Sequence, residues 1–162
     1  MISTFIAENY RLVQAILVVA AIACIVITAL LLRARRGRRI AAVIAGAATV
    51  VVLALTLIPD KVPNDAVGCN FEPANFFGDE QNVALFFLPA LFAFVAIRRP
   101  LVVLVAGIVL SALIETIQAL SPVIGRRCDI DDWFANSLGV IAGVVVALVV
   151  SIVVKRTKRR AA

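Results

Sequence analysis

The residues most capable of chemistry lie in one stretch of the chain, between Ser111 and Gly143. Glu115 stands inside an apolar segment long enough to span a bilayer, and a short polar turn follows that segment. The turn contains two arginines and three aspartates: Arg126, Arg127, Asp129, Asp131 and Asp132. A charge at the centre of a membrane helix costs roughly 2.5–3.5 kcal/mol on insertion scales, and it persists mainly where it has a partner or a function. We therefore expect a charge-paired or functional site in this stretch.

These residue types suggest one form of catalysis. Glu115 could act as a general acid or base in a membrane-embedded enzyme that acts on a lipid phosphate. Asp129, Asp131 and Asp132 offer hard oxygen ligands for Mg²⁺ or Ca²⁺, and two aspartates three positions apart at a helix start can converge on one ion. The candidate catalytic residues are Glu115, Asp129 and Asp132. Because the chain has no histidine and no recognisable nucleophile arrangement, the enzyme is the alternative hypothesis. Apart from the divalent cation of that hypothesis, we expect no cofactor.

A purely structural role is also open for the same residues. Glu115 could accept hydrogen bonds from Arg126 or Arg127 in a buried ion pair that holds two helices in register. The aspartates could form a solvated loop, or they could cap the following helix, whose N-terminal dipole favours negative charge. In that case the protein is a structural or assembly subunit.

The polar residues of the two flanking segments fall on helical faces. Ser111, Glu115 and Gln118 follow i, i+4, i+7 spacing and therefore share one face. Asp132 and Asn136 share a face of the next helix by the same spacing. A polar stripe of this kind in an apolar helix indicates a bundle interior or a water-filled cavity.

Small residues and a proline mark the neighbouring helix surfaces. Gly139 and Gly143 continue the face of Asn136 as a small-xxx-small pair, which lets another helix approach closely. Asn82 opens the third apolar segment, and Pro89 frees a backbone carbonyl near its middle. The glycine pair therefore predicts close packing of the fifth segment against another helix.

Five apolar segments must position these residues. Hydrophobic residues make up 63% of the chain and the mean hydropathy is +1.07, whereas soluble domains average about 45–50% apolar residues. A spanning helix needs about 20 residues. We therefore predict an all-α integral membrane bundle of five transmembrane helices in a single domain, 1–162. The helices are expected at about 12–32, 40–58, 81–97, 101–120 and 133–154, with outer loops at 59–80 and 121–132.

The distribution of charge predicts the orientation of the bundle. Most of the 16 basic residues follow the first, third and fifth segments. By the positive-inside rule that side is cytoplasmic, so the N-terminus is outside and the C-terminus inside. All acidic residues except Glu115 then fall outside the membrane core on the outer face. The basic clusters are interpreted as topology determinants beside an anionic leaflet, and no nucleic-acid partner is expected.

Two cysteines lie in different outer loops, Cys69 in the first and Cys128 in the second. Under the predicted orientation both face an oxidising compartment, where disulfides persist. We favour a Cys69–Cys128 disulfide over two free thiols. One cysteine per loop and no histidine disfavour a zinc site.

An ordered set of these residues resembles the VanZ-like family. The set reads N-xxx-F-xx-P from Asn82, S-xxx-E-xx-Q from Ser111, and R-xx-D-xx-D-xxx-N-xx-G-xxx-G from Arg126. The resemblance covers about residues 82–150. It implies a small multi-pass protein of the bacterial cytoplasmic membrane with a role in the cell envelope. It also implies an association with resistance to the glycopeptide teicoplanin.

The resemblance and the polar faces together lead to one main hypothesis. The protein would bind an amphiphile in an outer-face vestibule: a membrane lipid, a lipid-linked cell-wall molecule or a lipoglycopeptide antibiotic. Arg126 or Arg127 would meet an anionic head group. The candidate ligand-binding residues are Asn82, Ser111, Glu115, Gln118, Arg126, Arg127, Asp129, Asp132 and Asn136.

Overall fold

Five α-helices make up most of the chain. The computed structural model describes residues 10–59, 68–72, 80–124 and 128–160. The helices are α1 (Tyr10–Arg33), α2 (Gly37–Leu57), α3 (Glu80–Ile97), α4 (Pro100–Leu120) and α5 (Ile130–Arg160). A 3₁₀ turn, Pro122–Ile124, follows α4, and the two-residue strands β1 (Cys69–Asn70) and β2 (Cys128–Asp129) precede α3 and α5. The predicted all-α class with five helices is confirmed.

Three of these helices, α2, α4 and α5, are long and apolar enough to cross a membrane. The remaining apolar helical stretches, Val19–Arg33 and Gln81–Ile97, are shorter. These lengths and compositions are consistent with a multi-pass membrane protein. The number of spans and the orientation of the termini stay predictions.

Helix α5 begins at Ile130, three residues before its apolar run. Asp129 stands at the N-cap position, where its Oδ1 accepts the backbone N–H of Asp131 at 2.9 Å. Asp131 and Asp132 occupy the first turn of the helix, where negative charge interacts favourably with the helix dipole. Capping therefore extends the helix into the polar turn, as the interpretation of the aspartates as a cap predicts.

Helices α3 and α5 form the most extensive contact of the bundle. Phe86 and Leu91 on α3 and Val140 and Ala147 on α5 are buried in the core. Backbone of α3 lies directly against α5 because two glycines face it. A Cβ atom at Gly139 would collide with the carbonyl oxygen of Val83, and one at Gly143 with that of Phe87. The predicted close approach at the small-xxx-small pair is confirmed.

Short connections join the helices at the arginine-rich end. Arg98 and Arg99 link α3 to α4, and Arg98 adopts a left-handed backbone conformation with φ of 58°. Pro100 is the first residue of α4, a position for which its fixed φ suits it. The Nε of Arg38 donates a hydrogen bond to the carbonyl oxygen of Ala96 at 2.9 Å, which ties the start of α2 to the end of α3.

A disulfide and a small parallel bridge join the two segments at the opposite end. Cys69 pairs with Cys128 and Asn70 with Asp129 in the parallel register. Cys69 and Cys128 form a disulfide bond, as predicted. The side-chain amide of Asn70 also donates to Oδ2 of Asp129 at 3.2 Å. The connection after α2 is thus fixed to the residue that caps α5.

Candidate functional site

Glu115 on α4 points at the start of α5. Its Oε2 accepts the backbone N–H of Asp129 at 3.0 Å, and the residue as a whole is 6% exposed. A carboxylate that accepts a backbone N–H forms a charge-assisted hydrogen bond, which is stronger than a neutral one. The buried acid therefore has a defined partner at the end of the bundle where α5 begins.

Asp129 connects three parts of this end. Its backbone N–H donates to Glu115, and its two carboxylate oxygens accept from Asp131 and Asn70. One residue thus holds α4, the cap of α5 and strand β1 together. Because both of its oxygens already accept N–H donors, Asp129 has a positioning role in the structure.

A second hydrogen bond joins α3 and α5. The side-chain amide of Asn82 donates to Oδ1 of Asp132 at 2.7 Å in a partly buried position. Both residues were predicted site residues on different helices. The structure brings them together in the first turn of each helix.

A third hydrogen bond lies deeper, between α4 and α5. The Nδ2 of Asn136 donates to the hydroxyl oxygen of Ser111 at 3.0 Å, and the two residues are 2% and 0% exposed. The Oδ1 of Asn136 is buried and has no hydrogen-bond partner among the described residues. An unmatched buried amide oxygen is costly, so this position is one where a water or ligand donor would be stabilising.

Gln118 bonds in another direction. Its Nε2 donates to the backbone carbonyl of Thr56 on α2 at 2.9 Å, in a buried position. The hydroxyl of Thr56 donates to the carbonyl of Val52 in its own helix. Thr56 was not predicted as a partner, although a hydroxyl residue in the last turn of an apolar helix was a visible signal. Gln118 therefore anchors α4 to α2.

An elongated groove of about 360 Å³ lies beside Glu115. Its walls are mostly apolar and come from α4, from the start of α5 and from the segment around β1. The groove is lined by Cys69, Phe71, Ala112, Glu115, Thr116, Ala119, Leu120, Cys128, Asp129, Ile130 and Trp133. Apolar walls with a few polar groups are typical of small-molecule sites.

Trp133 is the residue of this groove that sequence reasoning missed. Its indole N–H is buried and has no acceptor among the described residues. Buried tryptophan N–H groups usually have a partner. The signal was present, because Trp133 is the only tryptophan of the chain and stands at a helix start, where tryptophan is enriched at membrane interfaces.

The predicted site residues thus form a set of hydrogen-bonded pairs, and only two of them reach the groove. Glu115 and Asp129 line it, whereas the other five described candidates connect helices. These five are Asn82, Ser111, Gln118, Asp132 and Asn136. Arg126 and Arg127 lie outside the described residues, so the partner that the structure gives Glu115 is the Asp129 N–H.

The divalent-cation site that the sequence suggested for the aspartates stays a prediction. Within the part of the chain that the structure describes, no three His, Cys, Asp or Glu side chains are grouped closely enough to hold a metal ion. Asp129 and Asp132 accept hydrogen bonds from amide groups, and those donors occupy oxygens that a cation would need. A cation at this place would have to share or replace these amide donors.

Comparison with known proteins identifies one family. A family model described as VanZ/LLP1 matches residues 16–151, a range that includes every candidate site residue. No curated protein and no solved structure matches the chain significantly.

Proposed function

The chain belongs to the VanZ/LLP1 family, and from this premise we propose that it binds an amphiphile in the groove beside Glu115. In this proposal the protein is a multi-pass protein of the bacterial cytoplasmic membrane. Its ligand is a lipid-linked cell-wall molecule or a lipoglycopeptide, and its cellular effect is on glycopeptide resistance of the teicoplanin type.

The observation that carries the proposal is the mixed lining of the groove. Ala112, Ala119 and Leu120 contribute apolar surface, and Glu115 and Asp129 contribute carboxyl groups. An amphiphile combines apolar and polar chemistry in the same way, in its tail and its head. The tail would lie along α4, and the head would meet the carboxylates where α4 and α5 join.

The polar groups of the groove must provide most of the selectivity between ligands. A tail that moves from lipid into a protein groove exchanges one apolar environment for another, so little hydrophobic free energy is gained. Hydrogen bonds to the head group remain as the source of discrimination. Glu115 is already oriented by the Asp129 N–H, and this preorganisation lowers the cost of binding.

The hydrogen-bonding groups of the groove favour a head group that has both hydrogen-bond donors and hydrogen-bond acceptors. The carboxylate of Glu115 accepts hydrogen bonds. The indole N–H of Trp133 is buried and has no acceptor among the described residues, and in this proposal ligand binding uncovers it as a donor. Hydroxyl and amide groups of a sugar or peptide head satisfy both. Arg126 and Arg127 keep the role predicted for them from the sequence, which is to meet an anionic group.

A pair of variants on α4 tests the groove directly. Ala112 lines the groove, whereas its neighbour Leu113 is 53% exposed on the outer surface of the bundle. We expect Ala112→Phe to fill the groove and to weaken binding at least about tenfold, which corresponds to 1.4 kcal/mol. Leu113→Phe is expected to leave binding unchanged.

Trp133 provides the binding signal. Because it is the sole tryptophan, a brominated acyl chain that enters the groove will quench the fluorescence of the purified protein. Cells that produce each variant are tested for susceptibility to an acyl-tailed glycopeptide and to one without a tail. If Ala112→Phe folds normally but changes neither quenching nor susceptibility, the groove is not the ligand site and the polar residues serve packing alone.

A further inference from the structure

A second cavity lies at the arginine-rich end of the bundle, away from the groove. It has a volume of about 770 Å³ and is open to the surroundings. Four arginines line it, Arg35, Arg38, Arg39 and Arg99, together with apolar side chains of α2, α3 and α4. The functional site described above does not use any of these residues.

The arginines of this cavity come from two separate connections. Arg35, Arg38 and Arg39 belong to the α1–α2 connection and the first turn of α2, and Arg99 precedes α4. The Arg38–Ala96 hydrogen bond holds the two connections together. This hydrogen bond uses only the Nε of Arg38, so the terminal N–H groups of the same guanidinium are left to donate to a ligand.

The charge at this end is of one sign. None of the ten acidic residues falls between positions 33 and 39 or between 97 and 102. Helices α2 and α4 also begin here, and their N-terminal dipole ends add positive potential. Guanidinium groups bind phosphate oxygens in a bidentate manner. The cavity is therefore suited to a phosphate anion.

An apolar cavity of about 140 Å³ adjoins the arginine cavity. Ile97 lines both of them. From Ile97 the apolar cavity continues past Ala93 and Val103 to Pro89 and Gly107, near the middle of α3 and α4. A phosphate site beside an apolar cavity complements the phosphate head and the acyl chain of a phospholipid.

We propose that this end of the bundle binds an anionic phospholipid. Arg35, Arg39 and Arg99 bind its phosphate, and part of one acyl chain enters the apolar cavity that Ile97 also lines. Basic pockets between membrane helices bind anionic head groups in this way. Under the predicted orientation the lipid belongs to the cytoplasmic leaflet, so this site and the groove beside Glu115 face opposite leaflets.

The first test separates a lipid from a free anion. The full chain is purified in a neutral detergent, and its thermal midpoint is measured with phosphatidylglycerol, phosphatidylcholine or inorganic phosphate. We expect phosphatidylglycerol alone to raise the midpoint in a saturable manner. An equal effect of phosphatidylcholine, or displacement of phosphatidylglycerol by millimolar phosphate, would overturn the assignment to an anionic lipid.

The second test separates a built site from diffuse attraction. Arg35→Gln/Arg99→Gln removes two charges from the cavity and leaves the Arg38 hydrogen bond intact. Arg156→Gln/Arg159→Gln removes two charges from the exposed end of α5. We expect the first pair to weaken phosphatidylglycerol binding at least about tenfold and the second less than about threefold. Equal losses would contradict the proposal.

Three further variants examine the guanidinium contacts and the acyl chain. Arg35→Lys/Arg99→Lys keeps the charge but removes bidentate contacts, so it is expected to lose affinity, and unchanged affinity would contradict those contacts. Ile97→Trp obstructs the shared opening, whereas Leu101→Trp alters a side chain that is 74% exposed. Only Ile97→Trp is expected to weaken lipid binding, and equal effects would exclude the apolar cavity as the acyl site.

Discussion

The backbone N–H of Asp129 donates a hydrogen bond of 3.0 Å to the carboxylate of Glu115. The bond links the C-terminal half of α4 to the N-cap of α5. Two properties of Glu115 can be separated here, its ability to accept this hydrogen bond and its negative charge. The neutral amide oxygen of a glutamine can also accept the N–H. Substitutions can therefore distinguish the acceptor from the charge.

Glu115→Ala is expected to destabilise the protein by about 1–3 kcal/mol, because the Asp129 N–H loses its buried acceptor. Glu115→Gln keeps an acceptor and should cost less than about 1 kcal/mol, while binding in the groove falls with the lost charge. Unfolding in detergent and acyl-chain quenching of Trp133 measure the two effects. Thr116→Ala is the stability control, because that hydroxyl bonds only within its own helix. Equal destabilisation by Ala and Gln would contradict the acceptor role.

The hydrogen bond between Ser111 and Asn136 is expected to couple α4 and α5 energetically. In a double-mutant cycle of Ser111→Ala and Asn136→Ala, we expect a coupling energy of about 0.6 kcal/mol and at most about 1.7 kcal/mol, as for other hydrogen bonds between membrane helices. Ser137 bonds to the carbonyl of Trp133 in its own helix. A cycle of Ser111→Ala with Ser137→Ala should therefore show no coupling, and comparable values in both cycles would argue against a specific pair.

Gly139→Ala is expected to destabilise the bundle by about 1–3 kcal/mol, because the added methyl group meets the carbonyl of Val83. Gly46 on α2 has nothing within 4 Å of the corresponding position. Gly46→Ala should therefore be neutral or stabilising by up to about 1 kcal/mol, owing to the better helix propensity of alanine. Unfolding midpoints of the two variants in detergent give the comparison. If both variants behave alike, α3 and α5 are not packed as closely as described.

The disulfide is expected to stabilise the outer end by about 2–4 kcal/mol. Cys69→Ser/Cys128→Ser should lower the unfolding midpoint and abolish the shift between reduced and non-reduced samples on a denaturing gel. Cys24 is not bonded, so Cys24→Ser serves as the control and should change neither property. A gel shift that survives in the double variant would place the bond elsewhere.

The orientation can be tested with reporters at the C-terminus. With five spans and an outer N-terminus, a fluorescent protein fused after Ala162 should be fluorescent, because it folds in the cytoplasm, whereas alkaline phosphatase at the same place should be inactive. After reduction, Cys69 should react with a membrane-impermeant maleimide in intact cells. A C-terminus outside the cell with Cys69 still accessible would show that α3 does not cross the membrane. A C-terminus outside with Cys69 protected would show that α1 does not cross or that the whole bundle is inverted.

Much of the fold could be predicted because its signals are periodic and strong. Apolar runs indicated the five helices, and the spacing of Gly139 and Gly143 indicated the close contact of α5. The spacing of Ser111, Glu115 and Gln118 predicted a buried face, and all three are buried. These predictions depend only on which residues share a helix face.

The partners of those residues could not be predicted, because they depend on how the helices are rotated and offset. Gln118 reaches α2, whereas Ser111, on the same face of α4, reaches α5. A two-residue parallel bridge has no periodic pattern at all, so β1 and β2 gave no signal. Trp133 was overlooked because hydropathy places it at the edge of a span, and only the fold turns it toward Glu115 and the disulfide.

The Cys69–Cys128 bond, with a sequence separation of 59, makes a closed covalent ring of the chain between the two cysteines. Helices α3 and α4 lie within this ring, while α1, α2 and α5 are attached outside it. A protease that cuts once inside the ring leaves a single molecule. An opening of the bundle at the end that holds this bond therefore cannot separate the segment before α3 from the start of α5, because the disulfide joins them.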